Sequence, residues 1–315
     1  MHPRGLHAQA AGRESEIVSI ELKGDCMRSF LFVPADSEKK LSKGLGTNAD
    51  ALILDLEDSV VTDRKPQART IAHGFLSEQI AKPKRPYLIV RVNARDSGLT
   101  EADLDAVMPA RPDAIMLPKA EGGVDVDYLD RQLALRERAH QTVAGHTRIF
   151  VVATETAKAI FQLGSYAGGS ARLSGLTWGA EDLAADIGAE SKHDASGRYI
   201  EPFRLARSLC LFGAVAAGVQ PIDSVYPPFQ DVEGLRRECE EARRDGFTGK
   251  MAIHPAQIDT INEVFTPSAA AVAEARAVIA AFAANPTAGA VSLNGRMLDM
   301  PHLKLAQRLL ARTKL

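Results

Sequence analysis

Eight short runs of almost uninterrupted apolar residues recur along the chain, and this pattern constrains the fold more than any other feature of the sequence. Strands that are buried on both faces of a parallel sheet read as near-continuous hydrophobic runs, whereas half-exposed strands alternate between apolar and polar residues. The sequence therefore predicts eight buried parallel strands. The runs occupy residues 29–33, 51–55, 87–92, 114–117, 148–153, 175–178, 222–225 and 250–253.

The segments between these runs are long enough for helices, as at residues 65–79, 128–141 and 232–245. Eight strands that are each followed by a helical stretch are typical of a (β/α)8 TIM barrel, an α/β fold of about 250 residues. The pattern thus predicts a barrel over residues 28–265. A doubly wound open sheet is the alternative, because it also alternates strands with helices.

The two ends of the chain differ from this middle part. Residues 1–27 contain neither strand alternation nor the apolar stretch of a secretory signal, so we expect a disordered N-terminal leader. Residues 266–315 are predicted to form a helical extension, with an Ala-rich helix over 268–284, a Gly-containing link and a last helix near 301–311. This extension is too small to be a domain, so we expect it to pack on its own barrel or on a neighbouring subunit.

Composition and charge exclude several classes of protein. The 38 Lys+Arg and 40 Asp+Glu give a net charge of −2, so no broad basic field is available for nucleic acid. No uninterrupted apolar run is long enough to span a membrane. The 3 cysteines are far apart and form no metal-binding pattern, which indicates reduced thiols. We therefore expect a cytoplasmic enzyme that has no membrane or nucleic-acid partner.

Polar side chains follow nearly every predicted strand at its carboxyl end. In a TIM barrel these ends meet at one rim, where the active site lies. The sequence therefore predicts a site at this rim. The residues in strand order are Asp55, Glu57 and Asp58; Arg91 and Asn93; Lys119; Glu155; Glu181 and Asp182; Tyr226; and His254.

Glu155 and Asp182 are the first choice for a metal site, because they follow adjacent strands. Mg²⁺ is usually held by one or two carboxylates together with waters or substrate oxygens. The alternative is that each carboxylate pairs with a neighbouring Lys or Arg. Arg91 suits a substrate carboxylate or an oxyanion, but it equally suits neutralisation of the nearby acids Asp55 and Glu57. For those two acids we expect a supporting role, holding metal-bound waters or Arg91.

Taken together, several sequence strings resemble the citrate lyase β-subunit and malyl-CoA lyase family, in the family's order and from about residue 28 to the C-terminus. The resemblance implies a TIM barrel that assembles as a homotrimer or homohexamer. It also implies Mg²⁺-dependent aldol or Claisen cleavage of acyl thioesters. The strings are RSFLFVPAD at 28–36, DALILDLEDSV at 50–60, RVN at 91–93, LPKAEG at 117–122, ATET at 153–156, LTWGAEDLAADIG at 176–188 and AIHPAQI at 252–258.

The resemblance also implies roles for individual residues. Glu155 and Asp182 match the ligands of Mg²⁺, for which Mn²⁺ is a possible substitute, and Arg91 matches the substrate arginine. Coenzyme A is then part of the substrate rather than a separate cofactor. The residues that match substrate or coenzyme A contacts are Phe32, Lys43, Glu181, Ile253 and His254.

A further string, NGRMLDMP at 294–301, resembles the C-terminal segment of malyl-CoA and citramalyl-CoA lyases. In those enzymes the aspartate reaches the barrel of an adjacent subunit as the catalytic acid/base, and Asp299 occupies its position. The alternative is that Asp299 only stabilises the N-terminus of the last helix.

The resulting hypothesis is a lyase that cleaves a 3-hydroxy-3-carboxyacyl-CoA, such as malyl-CoA or citramalyl-CoA, into a 2-oxo acid and acetyl-CoA. The alternatives are a malyl-CoA thioesterase and a citrate lyase β subunit that acts on an acyl-carrier thioester. A Schiff-base aldolase that uses Lys119 and a non-catalytic coenzyme A-binding subunit are further rivals. The sequence leaves the 2-oxo acid open.

Overall fold

A computed structural model describes residues 26–313, and its centre is a closed barrel of eight parallel strands. Each strand pairs with the next one along the chain, and β8 pairs with β1 to close the barrel. The predicted TIM barrel is thereby confirmed, and the open sheet is excluded. The strands are β1 Ser29–Pro34, β2 Ala51–Asp55, β3 Tyr87–Arg91, β4 Ala114–Leu117, β5 Arg148–Val152, β6 Leu173–Thr177, β7 Gln220–Asp223 and β8 Gly249–Ala252.

Helices connect these strands and continue beyond the barrel. The three helical segments that the sequence predicts are all present, and two of them have the predicted bounds. The third begins five residues earlier, since Gly123 rather than Tyr128 starts it. The helices are α1 Glu38–Leu45, α2 Lys65–Gln79, α3 Thr100–Val107, α4 Gly123–Ala139, α5 Ala157–Ile160, α6 Glu181–Ile187, α7 Glu201–Ala217, α8 Val232–Asp245, α9 Ile258–Phe265, α10 Ala269–Ala283 and α11 Met300–Ala311.

Strands β6 and β7 each begin two residues earlier than the sequence predicts. Their first residues include buried polar side chains, which an apolar-run criterion leaves out. Ser174 accepts a hydrogen bond from Arg148 Nε at 2.9 Å, and Gln220 Nε2 donates to the carbonyl of Met27 at 2.5 Å. These partners satisfy the polar groups and allow them to lie inside a strand.

An apolar cluster fills the barrel interior below the carboxyl ends of the strands. It contains Phe30, Ile53, Phe150, Ile222 and Met251, with the rings of Phe30 and Phe150 5.7 Å apart in an edge-to-face contact. A second, larger cluster lies between the strands and the surrounding helices. The polar residues at the strand ends therefore stand on a rigid apolar base.

The C-terminal extension forms its own small packed unit. The antiparallel strands β9 Ala290–Leu293 and β10 Arg296–Asp299 form a hairpin between α10 and α11, where the sequence predicts only a link. Asn294 and Gly295 join the strands with φ values of 53° and 75°. An Asn-Gly pair with two positive φ angles is the preferred two-residue hairpin turn, so this dipeptide was the sequence signal for the hairpin.

By length and composition alone, one helical stretch within residues 26–313, Pro255–Ala283, is long and apolar enough to cross a membrane. It is divided in this fold, because α9 ends at Phe265 and α10 starts after Ser268. The hydroxyl of Ser268 accepts a hydrogen bond from the backbone N–H of Ala271 and so begins a separate helix.

Residues 1–25 of the predicted leader lie outside the described part of the chain. Its last two residues, Cys26 and Met27, are buried against the amino end of the barrel. Cys26, Cys210 and Cys239 are all buried free thiols.

Candidate active site

A cavity of about 410 Å³ opens at the carboxyl ends of the barrel strands. Its wall contains most of the residues that the sequence analysis selected, and they come from distant parts of the chain. Those residues are Phe32, Asp55, Arg91, Glu155, Glu181, Asp182 and Ile253.

Glu155 follows β5 and lies deep in the cavity wall, with 4% of its surface exposed. Its Oε2 accepts a hydrogen bond from the backbone N–H of Lys119 at 2.5 Å, and no described cation forms an ion pair with it. Burial raises the pKa of this carboxyl to about 8, and the nearby Glu57 and Asp182 act in the same direction. Glu155 is therefore a buried carboxylate with no ion-pair partner among the described residues, and the nearby charge of Lys119 offsets its burial only in part.

A glycine after β6 makes room for Glu155. A Cβ atom at Gly179 would lie 2.8 Å from Glu155 Cγ and 3.3 Å from its Oε1. The loop that follows β6 can cross the Glu155 side chain closely only because this position has no side chain. The same loop leads into α6, whose second residue is Asp182.

Lys119 connects the acids of the rim. Its Nζ lies 2.6 Å from Glu57 Oε1 and 3.3 Å from Asp182 Oδ1. Burial lowers the pKa of this ammonium, but Glu57, Glu155 and Asp182 outweigh that effect and hold its pKa above the ordinary value. A Schiff-base lysine needs a lowered pKa, so the environment of Lys119 disfavours the class I aldolase hypothesis.

Arg91 lies beside the acidic cluster at the end of β3. Its Nε and Nη2 each donate to the carboxylate of Asp55 at 2.7 Å, and its guanidinium stacks on the ring of Phe32 at 4.7 Å. Burial raises the pKa of Asp55, yet the contacts with Arg91 outweigh it, so the pKa stays below its usual range. Asp55 thus holds Arg91 in the cavity wall through two hydrogen bonds.

The carboxylate of Glu57 is only partly satisfied. Its Oε1 accepts from Lys119, whereas Oε2 is buried and has no hydrogen-bond partner in the described chain. Arg91 Nη1 is 2.9 Å from Oε2, but its N–H groups do not point at that oxygen. Burial raises the pKa of Glu57 above its ordinary value. Oε2 therefore lies at ion-pair distance from the Arg91 guanidinium without a directed hydrogen bond from it.

These carboxylates fit a magnesium ion better than a transition metal. Across residues 26–313 no three side chains of the usual ligand types converge closely enough to enclose a metal by themselves. Mg²⁺ prefers oxygen ligands, keeps several waters and needs only one or two carboxylates. Glu155, which has no ion-pair partner among the described residues, and the partly exposed Asp182 supply two such carboxylates at the cavity.

Some of the residues predicted to contact the substrate or coenzyme A line the cavity, and others do not. Ile253 lines the cavity and is 42% exposed, and His254 stacks on Phe229 at 4.4 Å just beyond it. Glu181 lines the cavity and pairs with Lys192. Lys43 lies exposed in the last turn of α1, and it is not part of the cavity wall.

Asp299 lies at the start of α11 and does not line the cavity of its own chain. Its carboxylate Oδ1 is 2.5 Å from His302 Nδ1, so the imidazole N–H donates to the carboxylate. Within one chain, Asp299 therefore has the helix-terminal position that the sequence analysis named as its alternative role.

Two hydroxyl residues of the cavity wall, Thr177 and Ser224, were missed by the sequence analysis. Thr177 lies within the predicted strand 175–178, two residues after Gly175, and it was missed because only polar residues at or beyond the strand ends were considered. The buried ion pair of Lys250 with Asp223, behind the wall, was also missed. No local sequence signal marks it.

Comparison with known proteins gives concordant results. A family model described as HpcH/HpaI aldolase/citrate lyase matches residues 28–255. A (3S)-malyl-CoA thioesterase of Cereibacter sphaeroides is 35% identical over 289 residues, covering 91% of this chain and 94% of that protein. The mitochondrial citramalyl-CoA lyase of Rattus norvegicus is 35% identical over 299 residues, covering 90% and 84%. The crystal structure of protein CitE from Mycobacterium tuberculosis with magnesium, acetoacetate and coenzyme A matches with a TM-score of 0.72 and 34% identity, covering 92% of this chain and 99% of that one.

Proposed function

This chain belongs to the HpcH/HpaI aldolase/citrate lyase family, and we propose that it is a Mg²⁺-dependent carbon–carbon lyase acting on a 3-hydroxy-3-carboxyacyl-CoA. Malyl-CoA and citramalyl-CoA are the substrates of this class that its relatives' names suggest. The observation that carries the proposal is Glu155, a buried carboxylate with no ion-pair partner, which shares a cavity with Asp182 and Arg91.

Glu155 and Asp182 are the residues that would hold Mg²⁺, with Mn²⁺ as a possible substitute. The CitE structure of Mycobacterium tuberculosis contains magnesium and coenzyme A, which supports this assignment. When bound, the ion acts as a Lewis acid that favours ionisation of the substrate hydroxyl and polarises the carbonyl of the 2-oxo acid. Glu57 would play a supporting role, because its ion pairs with Arg91 and Lys119 hold both cations beside these two residues.

Arg91 would stabilise the negative charge that develops when the bond between C2 and C3 breaks. The electron pair of that bond moves to the thioester half as an enolate, and a proton then has to reach C2. Removal of one oxyanion donor typically costs about 3 kcal/mol of transition-state stabilisation. Asp55 acts as a positioning residue, because its two hydrogen bonds to Arg91 fix the guanidinium against Phe32.

Asp299 of an adjacent subunit would supply the proton to C2. Asp299 does not line its own chain's cavity, which favours a composite site. The C-terminal unit also leaves much of α10 open to further contacts, because only Ala275, Val278 and Phe282 of that helix are buried. We therefore propose a cytoplasmic homotrimer or homohexamer in which residues 266–315 of one subunit close the barrel of the next. Ile253 and His254 would then contact the coenzyme A end of the substrate.

Hydrolysis of the thioester is the second candidate function, favoured by the malyl-CoA thioesterase relative. Both reactions need a bound acyl-CoA, and they differ in whether water reaches the thioester carbonyl. Closure by a neighbouring C-terminal unit would exclude water and favour carbon–carbon cleavage.

Product analysis tests the proposed function directly. The protein is incubated with Mg²⁺ and either malyl-CoA or citramalyl-CoA, and the products are identified by mass spectrometry. Cleavage gives acetyl-CoA with glyoxylate or pyruvate, whereas hydrolysis gives free coenzyme A with malate or citramalate. We expect acetyl-CoA and one oxo acid, and no product in the presence of EDTA. Free coenzyme A with the intact hydroxy acid would instead establish the thioesterase.

A further inference from the structure

Lys65, the first residue of α2, donates hydrogen bonds to three oxygen atoms at the carboxyl rim of the barrel. Its Nζ lies 2.9 Å from the carbonyl oxygen of Leu56, 2.9 Å from that of Glu57 and 2.5 Å from Asn93 Oδ1. A lysine ammonium has three N–H donors, so each donor has one acceptor here. Lys65 is half-buried, and within residues 26–313 it forms no ion pair with a carboxylate. Its partners are therefore backbone and amide oxygens rather than a charged group.

These three oxygens belong to the segments that follow β2 and β3. Leu56 and Glu57 come directly after β2, and Asn93 lies two residues beyond the end of β3. The two segments are also bonded to each other, because the backbone N–H of Leu56 donates to the Arg91 carbonyl at 2.9 Å and Asn93 Nδ2 donates to the Leu56 carbonyl at 3.0 Å. Lys65 therefore joins the two strand ends that carry Glu57 and Arg91.

Helix formation alone does not account for a lysine at this position. Lys65 begins α2, and the first turn of α2 contains no acidic residue. A positive charge near the N-terminus of a helix is unfavourable, because the helix dipole is positive at that end. The hydrogen bonds to the rim offset this cost and give Lys65 a role that the helix itself does not require.

The contacts of the Glu57 side chain depend on where its backbone lies. Its carboxylate is 4% exposed and lies 2.9 Å from Arg91 Nη1 and 2.6 Å from Lys119 Nζ. The Glu57 carbonyl accepts from Lys65, and the Glu57 N–H donates to Asp55 Oδ1 at 2.9 Å. A shift of this backbone would move both carboxylate oxygens and change both ion pairs. The hydrogen bonds of Lys65 therefore bear on the positions of the two cations.

We propose that Lys65 is a positioning residue: its ammonium fixes the backbone at Glu57, and the Glu57 carboxylate thereby holds the Arg91 guanidinium in place. This role rests on the proposed lyase function, in which Arg91 stabilises the developing enolate. Lys65 does not line the cavity, so it acts on the reaction only through other residues. Its loss should lower kcat while binding of the acyl-CoA and of Mg²⁺ is retained.

The test compares Lys65→Met and Lys65→Arg with a matched control, Arg28→Met. Arg28 is likewise a half-buried cation that donates to three acceptor atoms, two on Asp50 and one on Thr266. It precedes β1 and so lies at the opposite end of the barrel. The kcat and KM for acyl-CoA cleavage, the binding of Mg²⁺ by calorimetry and the thermal midpoint are measured for each variant.

We expect Lys65→Met to lower kcat at least about 10-fold, with KM and the Kd of Mg²⁺ within about 3-fold of the wild type. Lys65→Arg should lose kcat similarly, because the donors of a planar guanidinium cannot replace three donors that diverge from one nitrogen. Arg28→Met should lower the thermal midpoint and change kcat by less than about 3-fold. Wild-type kcat in Lys65→Met, or equal losses of kcat in Lys65→Met and Arg28→Met, would overturn the proposal.

A double-mutant cycle separates a positioning role from general destabilisation. If Lys65 acts through Glu57, Lys65→Met should lower kcat by less than about 3-fold when Glu57→Gln is already present, because the contact that Lys65 fixes is then already weakened. Losses of kcat that multiply in the double variant would contradict the proposal, since independent effects on the free energy are additive.

The failure of this proposal and the failure of the proposed function are distinguishable. If the wild type cleaves malyl-CoA or citramalyl-CoA and Lys65→Met does so with the wild-type kcat, only the role of Lys65 is wrong. If the wild type cleaves neither substrate, the lyase function is wrong, and the crystal structure of Lys65→Met tests the role of Lys65 by itself. A displaced Glu57 carboxylate would support that role, and an unchanged position of this carboxylate would refute it.

Discussion

At the scale of single residues, the cavity contains two groups whose environments have opposite effects on the charged form. The environment disfavours the charged form of Glu155 and favours that of Lys119. Burial raises the pKa of Glu155 to about 8, while the surrounding acids hold the pKa of Lys119 above its ordinary value. A buried carboxylate that has no ion-pair partner is costly, and a divalent metal ion removes this cost. Lys119, in contrast, is already neutralised by its neighbours. The two residues therefore differ in function: Glu155 suits a metal ligand, and Lys119 suits a structural link between acids.

The variant Glu155→Gln tests the metal assignment, because it keeps the shape and removes the charge. We expect the Mg²⁺ concentration needed for half-maximal activity to rise at least about 10-fold, as loss of a metal-orienting group commonly does. Calorimetric Mg²⁺ binding should weaken in parallel. The matched control is Glu201→Gln, which alters an exposed carboxylate at the start of α7. Titration curves that coincide for Glu155→Gln and wild type would refute the assignment.

At the scale of secondary-structure elements, a buried ionic network joins β7 and β8 to the helices behind them. Lys250 is fully buried, and its Nζ donates to Asp223 at 2.8 Å and to Glu238 at 2.6 Å. Asp223 also accepts from Trp178 Nε1 at 2.7 Å and from Arg207 Nε at 3.0 Å. Because Trp178 precedes the loop that leads to Asp182, this network fixes one wall of the cavity from behind.

Removal of the buried ammonium should strongly destabilise the fold. Lys250→Met leaves Asp223 and Glu238 without their shared partner, and breaking such a pair typically costs about 3–5 kcal/mol. Urea unfolding monitored by circular dichroism measures the loss. The control Lys82→Met breaks the exposed pair with Glu78, for which we expect a change of less than about 1 kcal/mol. Equal effects of the two variants would show that the network does not stabilise the protein.

The same network predicts an acid dependence of stability. Burial raises the pKa of Asp223, but Lys250 and Arg207 outweigh it and lower the pKa to about 2. A lowered folded-state pKa stabilises the protein above the unfolded-state value of about 4, and this contribution is lost as the pH falls toward 2. Unfolding free energies measured between pH 6 and pH 2 should therefore fall less steeply in Lys250→Met than in the wild type. Parallel curves would contradict this role of Asp223.

At the scale of the whole molecule, the two proposed catalytic groups lie on separately packed units. Arg91 belongs to the barrel, while Asp299 belongs to a unit whose own core includes Phe282, Val291 and Leu303. A unit with its own core can dock on a neighbouring barrel without disturbing the one that carries it. This arrangement supports the proposal of a site shared between subunits.

Mixing two inactive variants tests the shared site. Asp299→Ala should retain binding of Mg²⁺ and acyl-CoA but lose kcat, because the lost group acts in proton transfer. Arg91→Ala should be inactive through its own barrel. After equal mixing and subunit exchange, about one quarter of the sites would combine an intact Arg91 with an intact Asp299, so activity should return to that extent. If a tag-based assay shows exchange and no activity returns, the C-terminal unit serves its own barrel, or Asp299 only stabilises its helix.

The sequence alone determined the barrel, because burial on both faces of parallel strands imposes a local pattern of apolar runs. It also determined which rim carries the polar residues, since chain direction fixes the carboxyl end of every strand. Glu155, Asp182 and Arg91 could therefore be selected as candidates from their places along the chain, and the family resemblance agreed with them. The hairpin at 290–299 was also encoded locally, by Asn294-Gly295, and was overlooked.

Only the tertiary structure decided the partners of these polar groups. The Lys119 ammonium meets Glu57, 62 positions earlier in the chain, and Asp182, which follows another strand. The ion pairs of the fully buried Lys250 ammonium likewise depend on what other strands and helices bring beside it. Apolar burial is a property of each segment and leaves a local trace in the sequence. Hydrogen bonding, ion pairing and pKa depend on distances of a few ångströms, and only closure of the barrel sets these distances.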